Sequence, residues 1–106
     1  MFSLFNKSND NSVSVNEVDN LFGEINLIDV REPYEFAAAS IKKSRNVPMS
    51  QLLTEPNKYL DKNKKYHIMC QSGARSARAT SALLKAEYDV VNLKGGISSY
   101  TGIHRK

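Results

Sequence analysis

Cysteine and histidine are scarce in this chain of 106 residues, which contains one cysteine, Cys70, and two histidines, His67 and His104. A single cysteine excludes an internal disulfide, a cysteine-rich zinc site and a two-cysteine redox motif. The two histidines lie far apart in sequence, and neither has neighbours at the spacing that metal ligands require. We therefore predict no metal ion and no other cofactor, so that any chemistry of Cys70 is that of a free thiol.

Long apolar runs and blocks of like charge are also missing. No stretch is apolar over the length of a membrane span, and residues 1–5 are too short for a signal-peptide core and have no basic residue before them. The formal net charge of +4 is spread along the chain, and the aromatic residues show no spacing for base stacking. We therefore expect a cytoplasmic protein with a reduced thiol, whose partners are small anions or acidic surfaces and include neither nucleic acid nor membrane.

The length and composition indicate one soluble globular domain. A chain of 106 residues supports one modest core. Hydrophobic residues make up 41% and charged residues 25%, and both fractions are ordinary for a soluble protein. Residues 1–12 are polar and rich in Asn and Ser, so we predict a mobile N-terminal tail there and a single domain over residues 13–106.

Apolar, β-branched runs alternate with helical patterns along the domain. Strands are predicted over 13–15, 25–30, 45–47, 66–69 and 90–93, and helices over 17–22, 33–38, 50–53, 56–60, 77–86 and from 97 to 100. Asn16 is expected to cap the first helix, and Pro33 suits the first turn of the second. This alternation predicts an α/β domain, doubly wound, with a mostly parallel sheet of about five short strands, helices on both faces and right-handed crossovers.

Three polar segments follow predicted strands, at residues 29–32, 70–76 and 94–96. The carboxyl ends of parallel strands meet at one edge of the sheet, where ligands bind. Cys70 is placed where a strand ends and a helix begins, and a helix N-terminus favours an anion. A thiol at this position has its thiolate stabilised, and the thiolate is the nucleophile.

The predicted site is the segment Cys70, Gln71, Ser72, Gly73, Ala74, Arg75 and Ser76. A lone cysteine often serves as a small core residue, but a polar loop follows this one, and its successive N–H groups can form an anion-binding nest. Gly73 permits a turn or a close backbone approach that a Cβ would obstruct. Ser72 and Ser76 are expected either to cap the helix, which is the favoured interpretation, or to donate to a bound anion. The hypothesis requires the thiol at the rim of the sheet, with these amides turned towards it.

Two arginines lie in or near the first turn of the predicted helix, where a positive charge opposes the helix dipole. Arg75 lies within the loop itself, and its position indicates that a negative group is bound at the start of the helix. Arg78 is expected to point into water.

Four blocks of sequence carry a likeness to a known family. They are Leu27-Ile28-Asp29-Val30-Arg31-Glu32, Asn46-Val47-Pro48, the loop at 70–76, and Asn92-Leu93-Lys94-Gly95-Gly96. In order and spacing, over residues 13–100, the chain resembles the single-domain rhodaneses. It departs from them at Ser40-Ile41-Lys42-Lys43-Ser44, where the family usually has His-Ile-Pro-Gly-Ala.

The resemblance implies sulfur transfer through a persulfide on Cys70. The Cys70 thiolate would attack the outer sulfur of a small anionic donor such as thiosulfate and release sulfite. Cyanide, a small thiol or a protein thiol would then accept the sulfur in a second half-reaction. The N–H groups from Gln71 to Ser76 would hold the terminal sulfur, and Arg75 would attract the donor.

Three further residues at the same edge are candidates for supporting roles. Asp29 and Arg31 are interpreted as a structural pair that ties loops together by charge-assisted hydrogen bonds, with a direct catalytic role as the alternative. Lys94 either adds to the positive field of the site or is a solvated surface lysine.

Two other functions remain open. Cysteine-dependent phosphatases and arsenate reductases also combine a cysteine, an amide cradle and an arginine. These families have one more residue between the cysteine and the arginine than this chain, in which four residues separate Cys70 from Arg75. The shorter loop makes a smaller cradle, which suits one sulfur better than a phosphate. The second alternative is a non-catalytic module of rhodanese fold that carries or binds persulfide sulfur.

Overall fold

The computed structural model describes residues 11–106, and its centre is a five-stranded sheet. The strands are β1 (Ser12–Ser14), β2 (Asn26–Asp29), β3 (Arg45–Asn46), β4 (Lys65–Met69) and β5 (Asp89–Lys94). They lie in the order β1-β5-β4-β2-β3, and every neighbouring pair is parallel. The predicted α/β fold is confirmed, with a sheet that is parallel throughout.

Helices connect the strands. They are α1 (Val18–Leu21), α2 (Pro33–Ala38), α3 (Met49–Thr54), α4 (Pro56–Tyr59) and α5 (Ala74–Lys85), with short 3₁₀ turns at Val15–Glu17 and Ile97–Ser99. Pro33 begins α2 as expected, but the prediction that Asn16 caps the first helix is wrong. Asn16 lies within the 3₁₀ turn that precedes α1, and Ser14 caps that turn: its side chain accepts a hydrogen bond from the Asn16 N–H at 3.1 Å. The Asn16 side chain binds backbone groups of Ser99 and Thr101.

Side chains of the strands alternate between two buried clusters, one on each face of the sheet. In β2, Leu27 belongs to one cluster and Ile28 to the other, and Met69 and Ile68 of β4 divide in the same way. This period of two is the pattern of a strand with both faces covered. Burial of each such side chain contributes about 1.5–3 kcal/mol. The covered faces leave the carboxyl ends of β2, β4 and β5 together at one edge.

The N-terminal edge strand begins one residue earlier than predicted. Ser12 pairs with Asn92 and Val13 with Leu93, and the carbonyl of Asn11 accepts a hydrogen bond from the Asn92 N–H at 2.9 Å. The predicted mobile tail, apart from its last two residues, lies outside the described residues. Within residues 11–106, no helix has the length and apolar character needed to cross a membrane.

The segment that departs from the rhodanese pattern forms a turn joined to the end of the chain. Ser40 and Lys106 exchange two backbone hydrogen bonds, of 3.3 and 2.7 Å. Lys43 has a φ of +69°, a left-handed conformation that favours glycine. It stands where the family usually has glycine. The turn therefore places a lysine in a conformation that glycine adopts more easily.

Candidate active site

Cys70 follows β4 directly, and its sulfur lies at the N-terminal end of α5. The Sγ atom accepts hydrogen bonds from the Gly73 N–H at 3.1 Å, from the Ser76 N–H at 3.3 Å and from the Ser76 hydroxyl at 3.3 Å. Backbone N–H groups that converge in this way, at the positive end of a helix dipole, form an anion-binding nest. The segment therefore has the geometry of a cradle for an anionic sulfur.

Two glycines make this close packing sterically feasible. Gly73 has a φ of +103° and occupies the N-cap position of α5. A Cβ on Gly96 would lie 2.4 Å from the carbonyl oxygens of both Cys70 and Gln71. The Ile97 N–H donates to that Cys70 carbonyl at 3.0 Å. The segment after β5 therefore packs directly against the backbone of the cysteine loop.

Helix α5 begins at Ala74, three residues before its predicted start. The expectation that Ser72 or Ser76 caps this helix is wrong, because Gly73 is the N-cap and no side chain caps the helix. The Ser76 hydroxyl instead lies within hydrogen-bonding distance of Sγ of Cys70 and of the Gly73 carbonyl, at 3.3 and 3.2 Å. The serine therefore lies inside the cradle.

The hydrogen bonds set the acidity of the thiol. Burial alone would raise the pKa of Cys70, because it disfavours the charged thiolate. The hydroxyl of Ser76 and the N–H groups of Ser76, Gly73 and Ser72 act in the opposite direction, and together they hold the pKa of Cys70 below its ordinary value. A lowered pKa gives the thiol a larger fraction of thiolate, the nucleophilic form, at any given pH.

Cys70 is also well buried, with 1% of its surface exposed. It belongs to the same cluster of buried residues as Ala79 and Leu83. The thiol thus lies at the rim of the sheet but beneath its surface, with the amides turned towards it. Two surface cavities border the loop, one lined by Ser72 and Gly73 and the other by Gln71. Cys70 is therefore almost completely covered by its surroundings in this structure.

Arg75 has a protein partner, Glu35 of α2. The guanidinium donates to both carboxylate oxygens, at 2.8 and 2.9 Å. This bidentate contact lowers the pKa of Glu35 to about 2, and the carboxylate raises the pKa of Arg75. The position of Arg75 indicated a negative group at the start of the helix, and in this structure that group is the carboxylate of Glu35. The ion pair links α2 to the start of α5.

Asp29 and Arg31 form a second, fully buried ion pair. Arg31 donates to both Asp29 carboxylate oxygens, with a shortest distance of 2.8 Å, and 2% of Arg31 and none of Asp29 is exposed. The same guanidinium donates to the carbonyl of Ala39 at 2.6 Å and to the side-chain oxygen of Gln71 at 3.3 Å. These bonds tie the loop after β2 to the cysteine loop.

The other predicted residues lie on the surface of the loop or beside it. Gln71, Ser72 and Ala74 are exposed. Lys94 is exposed at the end of β5 and lines the same cavity as Ser72. Arg78 is exposed, as expected.

Glu35 is the site residue that the sequence analysis missed. It lies in the first turn of α2, where its side chain and that of Glu32 form a capping box with the backbone. An acidic residue two positions after Pro33 is a helix-start signal, and α2 follows a strand that ends at the same edge as β4. The placement of α2 at this edge was therefore the feature of the sequence that indicated Glu35 as a partner for Arg75.

Comparison with known proteins agrees with this geometry. The family model of the rhodanese-like domain matches residues 14–102. The protein YqhL of Bacillus subtilis is 42% identical over 77 residues, which cover 72% of this chain and 60% of YqhL. The chain therefore spans less than two thirds of that relative. A sulfurtransferase of Allochromatium vinosum is 35% identical over 78 residues, covering 73% of this chain and 72% of the relative.

A solved structure supports the same assignment. The crystal structure of a rhodanese-related protein from Thermoplasma volcanium has a TM-score of 0.77 with this fold at 36% identity, covering 84% of this chain and 88% of that one. The family match extends from β1 to beyond β5 and includes the whole cysteine cradle. The chain belongs to the family of rhodanese-like domains, whose relatives include named sulfurtransferases.

Proposed function

We propose that this protein is a sulfurtransferase that moves a sulfane sulfur through a persulfide on Cys70. The observation that carries the proposal is the convergence of three hydrogen-bond donors, from Gly73 and Ser76, on the sulfur of Cys70. They stabilise a thiolate, and they would stabilise the negative charge of a persulfide in the same cradle. The sulfurtransferase among its relatives supports the same class of reaction.

The first half-reaction uses a donor of the thiosulfate or persulfide type. The Cys70 thiolate attacks the outer sulfur of thiosulfate, and a sulfur–sulfur bond forms to Sγ. The bond between the two sulfurs of thiosulfate breaks, and its electron pair leaves with sulfite. Cys70 is left as a persulfide anion, so charge and atoms balance without any other reactant.

In the second half-reaction an acceptor takes the outer sulfur. Cyanide, a small thiol or a protein thiolate attacks the terminal sulfur of the persulfide, and the electron pair of the broken bond returns to Sγ of Cys70. The products are thiocyanate or a new persulfide, together with the regenerated thiolate. Because the first product leaves before the acceptor reacts, the kinetics are ping-pong.

The surrounding charges position the cradle. Arg75 is held by Glu35 and Arg31 by Asp29, so we assign both arginines to positioning the loop. Attraction of the anionic donor then rests on the backbone N–H groups and on the exposed ammonium group of Lys94. The paired state of Arg75 also argues against a phosphatase, in which the arginine fork would have to bind the phosphoryl oxygens.

Intact-mass spectrometry after incubation with thiosulfate tests the proposal. The wild type should gain the mass of one sulfur, and the adduct should disappear on addition of cyanide with release of thiocyanate. Cys70→Ala should show no gain. A wild type that gains no sulfur from either thiosulfate or a small-molecule persulfide would contradict the proposal.

The competing phosphatase function predicts a different result. An aryl phosphate would be hydrolysed by the wild type and not by Cys70→Ser. We expect no such hydrolysis.

A further inference from the structure

The guanidinium of Arg75 is accessible to solvent beside the cysteine loop, but a carboxylate of the chain itself occupies it. The Arg75 side chain is 32% exposed, whereas that of Arg31, the other paired arginine at this edge, is 3% exposed. Both Nη atoms of Arg75 donate to Glu35, at 2.8 and 2.9 Å. The charge of Cys70 is among the groups that raise the pKa of Arg75, so the guanidinium lies within electrostatic reach of the sulfur. Arg75 is therefore placed to meet an anionic donor, but its outer N–H groups are already bound.

Glu35 is held in place by more than its ion pair. The backbone N–H of Glu32 donates to Oε1 of Glu35 at 2.9 Å, as part of the capping box at the start of α2. The Glu35 side chain is 19% exposed, and its pKa of about 2 keeps it charged at neutral pH. An anionic donor that approaches Arg75 must therefore compete with a fixed, bidentate carboxylate.

The positive charges of the adjoining cavity are bound within the protein as well. This cavity, which Gln71 borders, has a volume of about 430 Å³, and Arg31, Glu35 and Arg105 line it. Arg31 is paired with Asp29, and the guanidinium of Arg105 donates to two backbone carbonyls, at 3.2 and 2.8 Å. Glu35 adds a carboxylate to the wall. The cavity therefore offers an oxyanion little free hydrogen-bonding capacity and one nearby negative charge.

The two classes of sulfur donor differ in the charge that they bring to this site. Thiosulfate is a dianion, and its reaction with a thiolate releases sulfite, so a free cation or an arginine fork is needed to bind its oxygens. A protonated persulfide, R–S–SH, brings no such charge. The Cys70 thiolate attacks its outer sulfur, and a bond forms to Sγ. The bond to the inner sulfur breaks, and its electron pair leaves with the thiolate R–S⁻, while the hydrogen stays on the transferred sulfur.

We propose that Glu35 is a specificity-determining residue: by occupying Arg75, it weakens the reaction with oxyanionic donors such as thiosulfate and leaves the site suited to thiol-borne persulfides. The proposal rests on the sulfur transfer proposed above and names the class of donor for it. Glu35 acts through Arg75, so its effect lies in the preference between donors. A loss of order in the loop would slow the reactions with both donors alike.

The rates of persulfide formation on Cys70 with thiosulfate and with 2-hydroxyethyl persulfide, followed by intact-mass spectrometry, test the proposal. The measured quantity is the rate with thiosulfate divided by the rate with the persulfide. Glu35→Gln frees the guanidinium and should raise this ratio about tenfold. Arg75→Met leaves the carboxylate unpaired beside the loop and should lower the ratio about tenfold. The double variant should return it to within about threefold of the wild type.

Glu32→Gln is the matched control. Glu32 is exposed at the N-cap of the same helix and forms no ion pair within residues 11–106. This variant removes the same charge as Glu35→Gln but frees no arginine. It should change the ratio by less than about twofold.

Protection of Cys70 by sulfate gives a second measurement, which requires no sulfur transfer. Sulfate is an oxyanion that has no sulfur to donate. It should protect Cys70 of Glu35→Gln from alkylation by iodoacetamide at a concentration about tenfold lower than in the wild type. Chloride at the same ionic strength is the reference, because it reproduces the screening by salt.

Several results would overturn the role of Glu35 alone, in a wild type that reacts with at least one donor. They are a ratio that neither Glu35→Gln nor Arg75→Met changes, an equal change in Glu32→Gln, a gain in Glu35→Gln that persists in the double variant, and sulfate protection equal to that of the wild type. Arg75→Met keeps the test decisive even where Glu35→Gln fails to fold. A wild type that reacts with neither donor would contradict the proposed sulfur transfer as well.

Discussion

The hydroxyl of Ser76 distinguishes Cys70 from a cysteine that only fills space in a core. Burial by itself raises the pKa of a thiol, and Cys70 is almost completely buried. The hydrogen bonds to Sγ reverse that effect, and the contribution of the Ser76 hydroxyl is the largest among them. The acidity of the thiol therefore rests on a side chain that substitution can remove, as well as on the backbone.

Ser76→Ala removes this hydroxyl and leaves the N–H of residue 76 in place. We expect the pKa of Cys70 to rise and persulfide formation at neutral pH to slow on the order of tenfold, the effect of one hydrogen bond to a charged group. The measurement is the pH dependence of the rate of alkylation of Cys70. Ser50→Ala, on the exposed part of α3, should leave the profile unchanged. A Ser76→Ala profile identical to that of the wild type would show that the hydroxyl does not stabilise the thiolate.

The contribution of the ion pair between Asp29 and Arg31 to stability can also be tested by substitution. Arg31→Met leaves a fully buried carboxylate without its partner, and we expect a loss of about 3–5 kcal/mol in the free energy of unfolding. The double variant Asp29→Asn with Arg31→Met should recover part of that loss, because no charge is then left buried. Urea denaturation measures both. Arg78→Met, at an exposed site, should change stability by less than about 0.5 kcal/mol.

At the scale of single residues, the sequence patterns predicted the site residues that lie at the end of a strand or directly after it. Cys70, Asp29 and Arg31 are recognisable because parallel strands end together. The partner of Arg75 was not predicted, because Glu35 lies 40 residues away along the chain and its local pattern indicates only a helix start. An ion pair between elements depends on how α2 and α5 are oriented, and local sequence carries no direct signal of that.

Among the elements, the boundary of α5 was the least predictable. The expected start at residue 77 followed from the small residues Ala77 to Ala86 and from the assumption that serines cap the helix. The helix begins at Ala74 because Gly73, with its left-handed backbone, serves as the N-cap. The extra turn brings the Ser76 N–H within 3.3 Å of the sulfur. The strands were more predictable, because each of the central ones is a short, continuous apolar run rich in β-branched residues.

The contact between the cysteine loop and the segment after β5 predicts that two glycines differ in how much their substitution by alanine destabilises the protein. Gly96 and Gly23 both have a positive φ, of +59° and +89°, but a Cβ on Gly96 would meet two backbone oxygens at 2.4 Å, whereas one on Gly23 would meet nothing within 4 Å. Gly96→Ala should therefore destabilise the protein by about 1–3 kcal/mol more than Gly23→Ala. Gly96→Ala should also slow persulfide formation, because the oxygens it displaces belong to Cys70 and Gln71.

Thermal and urea denaturation of the two glycine variants, together with intact-mass measurement of the persulfide, check this expectation. Gly23→Ala is the matched control for backbone strain alone. Equal stability of the two variants would mean that the loop yields to the added methyl group without loss.

The contact between α2 and α5 predicts a dependence of stability on pH. The pKa of Glu35 is about 2 in the folded protein and 4.5 ordinarily. The unfolded chain therefore takes up a proton first as the pH falls, so the contribution of the pair is complete above pH 4.5 and is lost towards pH 2. Glu35→Gln should lower the free energy of unfolding at neutral pH by about 1 kcal/mol and flatten its decrease below pH 4.5.

Urea denaturation at a series of pH values measures this dependence. Glu55→Gln removes an exposed carboxylate that forms no ion pair within residues 11–106, and it should keep the slope of the wild type. A Glu35→Gln protein with the same slope would show that the contact with Arg75 does not lower the pKa of Glu35.

At the scale of the whole molecule, the strand order explains why distant segments of the chain form one site. The order β1-β5-β4-β2-β3 places β4 at the centre, between the strands that lead to Asp29 and to Lys94. The sequence patterns predicted a parallel sheet and the convergence of these strand ends. They did not predict the burial of Cys70, because burial depends on how closely the loops pack at that edge.

The positive charge of the molecule predicts an effect of salt on the first half-reaction. With a formal net charge of +4, the protein attracts a dianion such as thiosulfate over a Debye length that shrinks from about 30 Å at 0.01 M salt to about 10 Å at 0.1 M. The rate of persulfide formation should therefore fall by about threefold to tenfold over this range. Alkylation of Cys70 by neutral iodoacetamide should change little, since no charge attracts that reagent.

The effect of a positive charge near the cysteine loop can be separated from the effect of the net charge of the protein. Lys94→Met and Lys64→Met each remove one exposed positive charge, and only Lys94 lies at the sheet edge beside the cysteine loop. If the local field attracts the donor, Lys94→Met should reduce the salt dependence with thiosulfate more than Lys64→Met does. Equal effects would assign the attraction to net charge alone, and a rate with thiosulfate that is independent of salt would contradict electrostatic attraction altogether. Dividing the rate with thiosulfate by the rate with iodoacetamide at each salt concentration removes the effects of salt on the thiol that are common to both reagents.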